Sequence, residues 1–194
     1  MLKQIYWKKR KLKIMKYIAL LKGINVGPHK RMKMADLIAA LESPSFKNIK
    51  TYLQSGNVIF EHDLVDSTNV AEDIEKKIDQ TFGFSVNVII RTEKEMENII
   101  GNNPFINDPK IELDKLHVTF LSELPNPETI SNLDIKKDEN EKFKVIDREV
   151  YLYCPNGYGN TKLKNDVFER KLNTTATTRN WKTTNKLLEL FRLK

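Results

Sequence analysis

Ile49-Lys-Thr-Tyr-Leu-Gln54-Ser-Gly-Asn57-Val-Ile-Phe-Glu61 reads as two short strands joined by a tight turn at Ser55-Gly56, and the segments around it decide the class of fold. Upstream, Tyr17 to Leu21 is a short apolar run that predicts a buried strand. Met34, Leu37, Ile38 and Leu41 follow at the i, i+3, i+4, i+7 spacing of a one-sided helix. Downstream, Ala71, Ile74, Ile78 and Phe82 mark a second one-sided helix, with Ser67 or Thr68 available to cap its start and Gly83 to end it. Val86, Val88 and Ile90 then alternate as a fourth strand. The order β-α-β-β-α-β is the split βαβ of ferredoxin-like domains.

Thr92 and Glu95 have capping-box spacing ahead of Met96, Ile99 and Ile100, which predicts a connecting helix. Asn103-Pro104 and Asp108-Pro109 punctuate the boundary after it. The second half nearly repeats the pattern. Leu116, Val118 and Phe120 alternate as a strand, Pro127 to Leu133 suits a short helix, and Phe143–Ile146 with Glu149–Cys154 forms a hairpin around Asp147-Arg148. After a Gly-rich turn at Asn156 to Gly159, one helix carries Leu163, Val167, Phe168 and Leu172, and a last one carries Trp181, Leu187, Leu188 and Phe191. No final strand is evident before that helix. The expected class is α+β: two fused ferredoxin-like units with antiparallel sheets and an added C-terminal helix. Residues 1–14 form a basic extension outside the fold, 15–104 the first unit with its connecting helix, and 105–194 the second unit with the final helix.

The 194 residues carry a net charge of +7, unevenly distributed. Residues 1–14 hold six lysines and arginines and no acid; residues 155–194 hold nine bases and three acids, which leaves residues 15–154 at −5. A whole-chain argument for nucleic acid therefore fails, and only the basic C-terminal segment supports one. The basic extension lacks the apolar core and small-residue cleavage site of a secretory signal, and Met15 opens a clean strand pattern suited to a native start. No apolar run approaches the roughly 20 residues that cross a bilayer, so no membrane role is expected. Cys154 is the single cysteine, and with His29, His62 and His117 dispersed it offers no zinc spacing. The expectation is a cytoplasmic protein with no metal and no cofactor.

Three polar segments sit at element ends. Gly23-Ile24-Asn25-Val26-Gly27-Pro28-His29-Lys30 lacks both Walker and dinucleotide spacing; its glycines free backbone N–H groups, and it also suits an ordinary strand-to-helix turn. Gln54-Ser55-Gly56-Asn57 lacks the spacing and the base of a nucleophile elbow. Asn156-Gly157-Tyr158-Gly159-Asn160-Thr161-Lys162 leads from a strand into a helix start, where free N–H groups favour an anion. There Asn160 or Thr161 is the expected cap, and Lys162 in the first turn would oppose the helix dipole unless something negative were near. Further on, Thr178 can cap the last helix, Arg179 offers a bidentate fork and Trp181 a stacking face.

The strings Tyr17-Ile-Ala-Leu-Leu-Lys-Gly-Ile-Asn-Val-Gly27, Thr51-Tyr-Leu-Gln-Ser-Gly-Asn-Val-Ile-Phe60 and Thr177-Thr-Arg-Asn-Trp-Lys-Thr183 resemble signature segments of one bacterial family, the domain of unknown function DUF1697. Gly157-Tyr158-Gly159 with Thr161-Lys162-Leu163 resembles a fourth. The resemblance covers about residues 15–194 and implies two fused ferredoxin-like units. It implies no reaction, substrate, cofactor or catalytic residue. Where the family has a further glycine, this chain has Pro28, which stiffens the loop.

Three functions are compatible with these residues. The first is binding of a small anionic ligand, a phosphate or nucleotide, with or without catalysis, at Asn25, Ser55, Asn57, Lys162, Arg179, Asn180 and Trp181. The second is a structural or partner-binding module without chemistry. The third is nucleic-acid binding through the basic C-terminal segment, with Tyr151, Tyr153, Tyr158 and Trp181 as stacking faces.

Overall fold

A computed structural model describes residues 14–63 and 66–193. The basic extension, up to residue 13, lies outside the described residues. The first unit runs β1 (Met15–Leu21), α1 (Met34–Leu41), β2 (Phe46–Tyr52), β3 (Asn57–His62), α2 (Ser67–Phe82) and β4 (Val88–Thr92). Helix α3 (Glu93–Gly101) follows, and a 3-10 turn at Leu113–Lys115 opens the second unit. That unit runs β5 (Leu116–Leu121), α4 (Pro127–Ser131), β6 (Lys142–Ile146), β7 (Glu149–Tyr153), α5 (Asn165–Leu172) and β8 (Ala176–Asn180), and α6 (Trp181–Arg192) completes the chain. Both sheets are antiparallel and four-stranded, in the orders β2-β3-β1-β4 and β6-β7-β5-β8. This is the expected ferredoxin-like strand order, present in each half.

Both faces of each sheet are covered, which explains the unbroken apolar runs of the central strands. Tyr17, Ala19 and Leu21 face α1 and α2 in one core, whereas Ile18 and Leu20 face a second core shared between the sheets. In β5, Leu116, Val118 and Phe120 enter the same shared core, together with Met96 and Ile99 of α3 and Trp181, Leu187, Leu188 and Phe191 of α6. A third core lies between the second sheet and the α4–α5 side, where Leu121, Val150, Phe168 and Leu172 meet. The two sheets thus face each other across α3 and α6.

Several local expectations shift by a residue or more. Asp66 caps α2, its side chain accepting from Thr68 N at 2.9 Å, in place of Ser67 or Thr68. Gly83 ends that helix in the left-handed conformation, φ 71°, and the Thr92–Glu95 capping box forms as read. Strand β2 ends at Tyr52, because Leu53 (φ 60°) and Gly56 (φ 75°) both turn left-handed, so the turn spans four residues, Leu53 to Gly56. The larger correction is β8. Its polar sequence, Ala-Thr-Thr-Arg-Asn, has no apolar alternation, yet it completes the second sheet, and Asn180 rather than Thr178 caps α6.

Candidate functional site

The seam between the two units gathers much of the expected site. Arg179 sits on β8, 7% exposed. Its Nε donates to Asn57 Oδ1 at 2.6 Å, its Nη1 to Thr177 Oγ1 and Thr178 O at 2.9 Å each, and its Nη2 to Leu21 O at 2.9 Å and Ser55 O at 3.0 Å. All five guanidinium N–H groups therefore have protein acceptors. Burial pushes its pKa down to about 10, which still leaves the side chain charged at neutral pH. Gly56 permits the approach: with φ +75°, a Cβ there would stand 2.7 Å from Leu21 Cβ and from Ile24 Cδ1.

The other expected ligand residues are engaged or elsewhere. Asn25 Nδ2 donates to Met32 O at 3.0 Å and Gln54 O at 2.8 Å, and its Oδ1 accepts from Met32 N at 2.9 Å. Asn57 Nδ2 donates to Tyr52 O and to Ser55 Oγ. Asn180 Oδ1 accepts from Thr183 N at 2.7 Å as a helix cap. Trp181 lies in the shared core. Lys162 precedes α5 by three residues, so the dipole argument does not apply to it; it is exposed, with Asp138 Oδ1 at 3.9 Å. Neither Asn160 nor Thr161 caps α5, whose cap position is Lys164; Thr161 Oγ1 accepts instead from Leu163 N. The seam thus gathers Asn25, Ser55, Asn57 and Arg179 around the turn between β2 and β3, and offers an incoming anion no free guanidinium donor. Tyr151, Tyr153 and Trp181 are likewise closed to base stacking, being buried between the sheets. Tyr158 stacks on His117 and donates to Thr178 Oγ1 at 3.0 Å.

A second clasp, which the sequence did not disclose, mirrors the first. Arg91 on β4 is 1% exposed. It donates through Nε to Glu149 Oε1 at 2.8 Å, through Nη1 to Ile90 O at 2.8 Å, and through Nη2 to Leu121 O at 2.7 Å and Arg148 O at 3.1 Å. Burial pushes the Glu149 carboxyl up and the Arg91 guanidinium down, and their mutual attraction opposes both shifts. Arg148 in turn pairs with Glu95. Burial would raise the Glu95 carboxyl, but hydrogen bonds from Thr92 with Arg91 and Arg148 nearby hold it below its ordinary value.

Next to each clasp lies the free edge of a sheet, and the two edges differ. At β8, Ala176 N donates to Glu169 Oε1 at 2.7 Å, and Lys22 from the opposite unit ion-pairs with that carboxylate. At β4, Val88 N donates to Glu75 Oε1 at 2.8 Å in the same way. The position matching Lys22 there is Ser122: Lys22 N donates to Asn87 O just before β4, as Ser122 N does to Thr175 O just before β8. With serine in place of lysine, a cleft of about 480 Å³ opens between Glu72, Glu75 and Ala71 of α2, the edge of β4, and Ser122 to Leu124. Since Asn87 O points to β1, Val88 and Ile90 turn their backbone groups outward. Among the described residues Val88 O and Ile90 N have no hydrogen-bond partner.

Among the described residues no group of three His, Cys, Asp or Glu side chains is placed to hold a metal ion, and no helix is long and apolar enough to cross a membrane. A family model described as protein of unknown function, DUF1697, matches residues 14–151. The fold is similar to that of the conserved bacterial protein SP0830 from Streptococcus pneumoniae, with a TM-score of 0.70 and 21% identity, covering 92% of this chain and 99% of that one. At that identity the likeness bears on the fold alone. No curated protein matches the sequence.

Proposed function

We propose that this chain, which belongs to the DUF1697 family, is a partner-binding module that takes an extended segment of another protein along the edge of β4. The observation that carries the reading is the outward pair Val88 O and Ile90 N, without a described partner, beside an open cleft. Strand addition uses such groups for affinity and flanking pockets for selectivity.

The other borders of the two sheets are protected in ways that discourage pairing. Strand β2 carries a register shift between Lys47 and Lys50, both exposed lysines. Strand β6 carries exposed Lys142 and Lys144. Strand β8 is flanked by the Lys22–Glu169 pair. Strand β4, Val-Ile-Ile-Arg-Thr, has none of these devices. The single buried thiol, Cys154, suits a cytosolic setting, and we assign the chain there.

Selection from a library of randomised heptapeptides tests the reading, with amide hydrogen exchange on the full chain as the readout. Bound peptides are expected to slow exchange of the Ile90 N–H. Peptides that bind yet leave Ile90 unaffected would overturn it.

A further inference from the structure

The two sheet edges share one arrangement, a helix glutamate that accepts from the first edge amide, so the filled one describes what fits the open one. At β8 the carboxylate that accepts from the first edge amide is neutralised by a lysine arriving from the opposite unit: Glu169 accepts from Ala176 N and pairs with Lys22. At β4 the same carboxylate, Glu75, accepts from Val88 N at 2.8 Å and has no ion-pair partner among the described residues. Glu72 and Glu123 add negative charge to the walls of the cleft. Its lining includes one basic side chain among the described residues, Arg148, which is turned to Glu95.

We infer that the segment taken at β4 carries a lysine whose ammonium seats against Glu75 as Lys22 seats against Glu169, so that the partner is an extended, lysine-bearing peptide strand. This rests on the partner-binding reading and adds a side-chain requirement to it. Two independent features agree on the occupant. The outward N–H of Ile90 and C=O of Val88 call for an extended backbone. The cleft left by Ser122, lined by carboxylates, calls for a long cation rather than an anion or an apolar side chain.

The test uses a blocked heptapeptide of alternating threonine and valine with one central lysine, and its norleucine counterpart, titrated against the full chain. Hydrogen exchange at Ile90 and fluorescence anisotropy give the two readouts. The lysine peptide is expected to protect the Ile90 amide and to bind at least tenfold more tightly than the norleucine peptide. Glu75→Gln, which keeps an acceptor for Val88 N, should remove that preference. Ser122→Lys supplies the cation from within the chain and should abolish binding while the fold persists. Equal binding of both peptides with Ile90 protected would overturn the lysine requirement and leave strand addition standing. Failure of both peptides to protect Ile90 would count against strand addition itself. Undiminished binding to Ser122→Lys would place the peptide elsewhere and overturn the inference. Protection of Ile90 that grows with protein concentration alone, and vanishes when residues 1–13 are removed, would make a second copy's basic extension the occupant and overturn a separate partner.

Discussion

Arg91 and Arg179 occupy the same place in the two sheets. Arg91 lies opposite Ile18 on β1 and Arg179 opposite Val118 on β5. Each sends Nη2 to the last carbonyl of the other unit's first strand, Leu121 O at 2.7 Å and Leu21 O at 2.9 Å. Each sends Nε to the first residue of the other unit's third strand, where the partners differ: a carboxylate at Glu149, an amide at Asn57. The clasps are geometrically paired and electrostatically unlike.

That difference sets the response to losing each arginine. Arg91→Met strands a buried carboxylate and is expected to cost about 3–5 kcal/mol in urea unfolding. Adding Glu149→Gln should recover about 1 kcal/mol or more, a coupling expected of contacting residues. Arg179→Met leaves neutral acceptors unpaired, for about 3 kcal/mol, and Asn57→Ala should recover less in that background than Glu149→Gln does in the other. Equal recovery would show that charge is not what separates the clasps.

Gly56 should be hard to replace. A methyl group there meets Leu21 and Ile24 at 2.7 Å on a backbone at φ +75°. Gly56→Ala is expected to cost about 2–4 kcal/mol, from left-handed strain plus overpacking. Gly27 has φ +71° with nothing within 4 Å of such a methyl, so Gly27→Ala should show only the strain, about 1–2 kcal/mol. Thermal melts of the two variants side by side measure the difference.

Acid should weaken the fold in two stages. Burial lowers the His117 pKa from its ordinary 6.5, against the pull of its bond to Lys115 O. The unfolded chain then binds the proton first, so stability falls as pH drops below that value. Glu95, held below its ordinary 4.5, contributes stability above that pH and loses it as pH falls through the folded value. His117→Gln should flatten the stability profile between pH 7 and 5, and Glu95→Gln should flatten it below pH 4.5. Unchanged slopes in denaturant midpoints across those windows would exclude these groups as the cause.

Core burial separates two residues with the same sequence signal. Ile74 is fully buried under the first sheet, whereas Ile38 is half-buried, with Leu37 and Leu41 taking the interior of α1. Ile74→Ala should cost about 2–5 kcal/mol, and Ile38→Ala clearly less. Chemical denaturation of both variants decides it.

Cys154 should be inert in the native state. It is fully buried, and burial pushes its thiol up to about 11. A chromogenic disulfide reagent at neutral pH is expected to label it only as fast as the protein unfolds. Rapid labelling of the folded chain would contradict that burial.

Where a residue acts on near neighbours, the sequence disclosed it. The apolar runs of β1 and β5, the stripe of α2 and the Thr92–Glu95 box are all local patterns, and all stand where expected. Arg179 stands out in the sequence as a fork beside a helix, yet its acceptors in the first unit lie 122 to 158 residues away in the chain. Nothing local indicates that such an arginine is already saturated. Strand β8 is hidden for the same reason: Arg179 is buried by hydrogen bonds made across the seam, and Thr177 by accepting from Arg179, rather than by apolar alternation. Lys162 lies outside the first turn because the helix begins three residues further on, at Asn165. The exchange of Lys22 for Ser122 shows only when two strand ends are superposed in space, since the pairing with Glu169 spans 147 residues.

The clasp at Arg179 also has a consequence for how the chain is made. The carbonyls of Leu21, Ser55 and Gly56 leave the ribosome well before the guanidinium that satisfies them has been added. At roughly 5–20 residues per second, the 123 residues between Gly56 and Arg179 take on the order of ten seconds to synthesise. Through that interval the nascent first unit keeps its hairpin carbonyls on water and its inner sheet face uncovered by α6. Its completion is tied to the synthesis of β8 and α6 rather than to its own emergence.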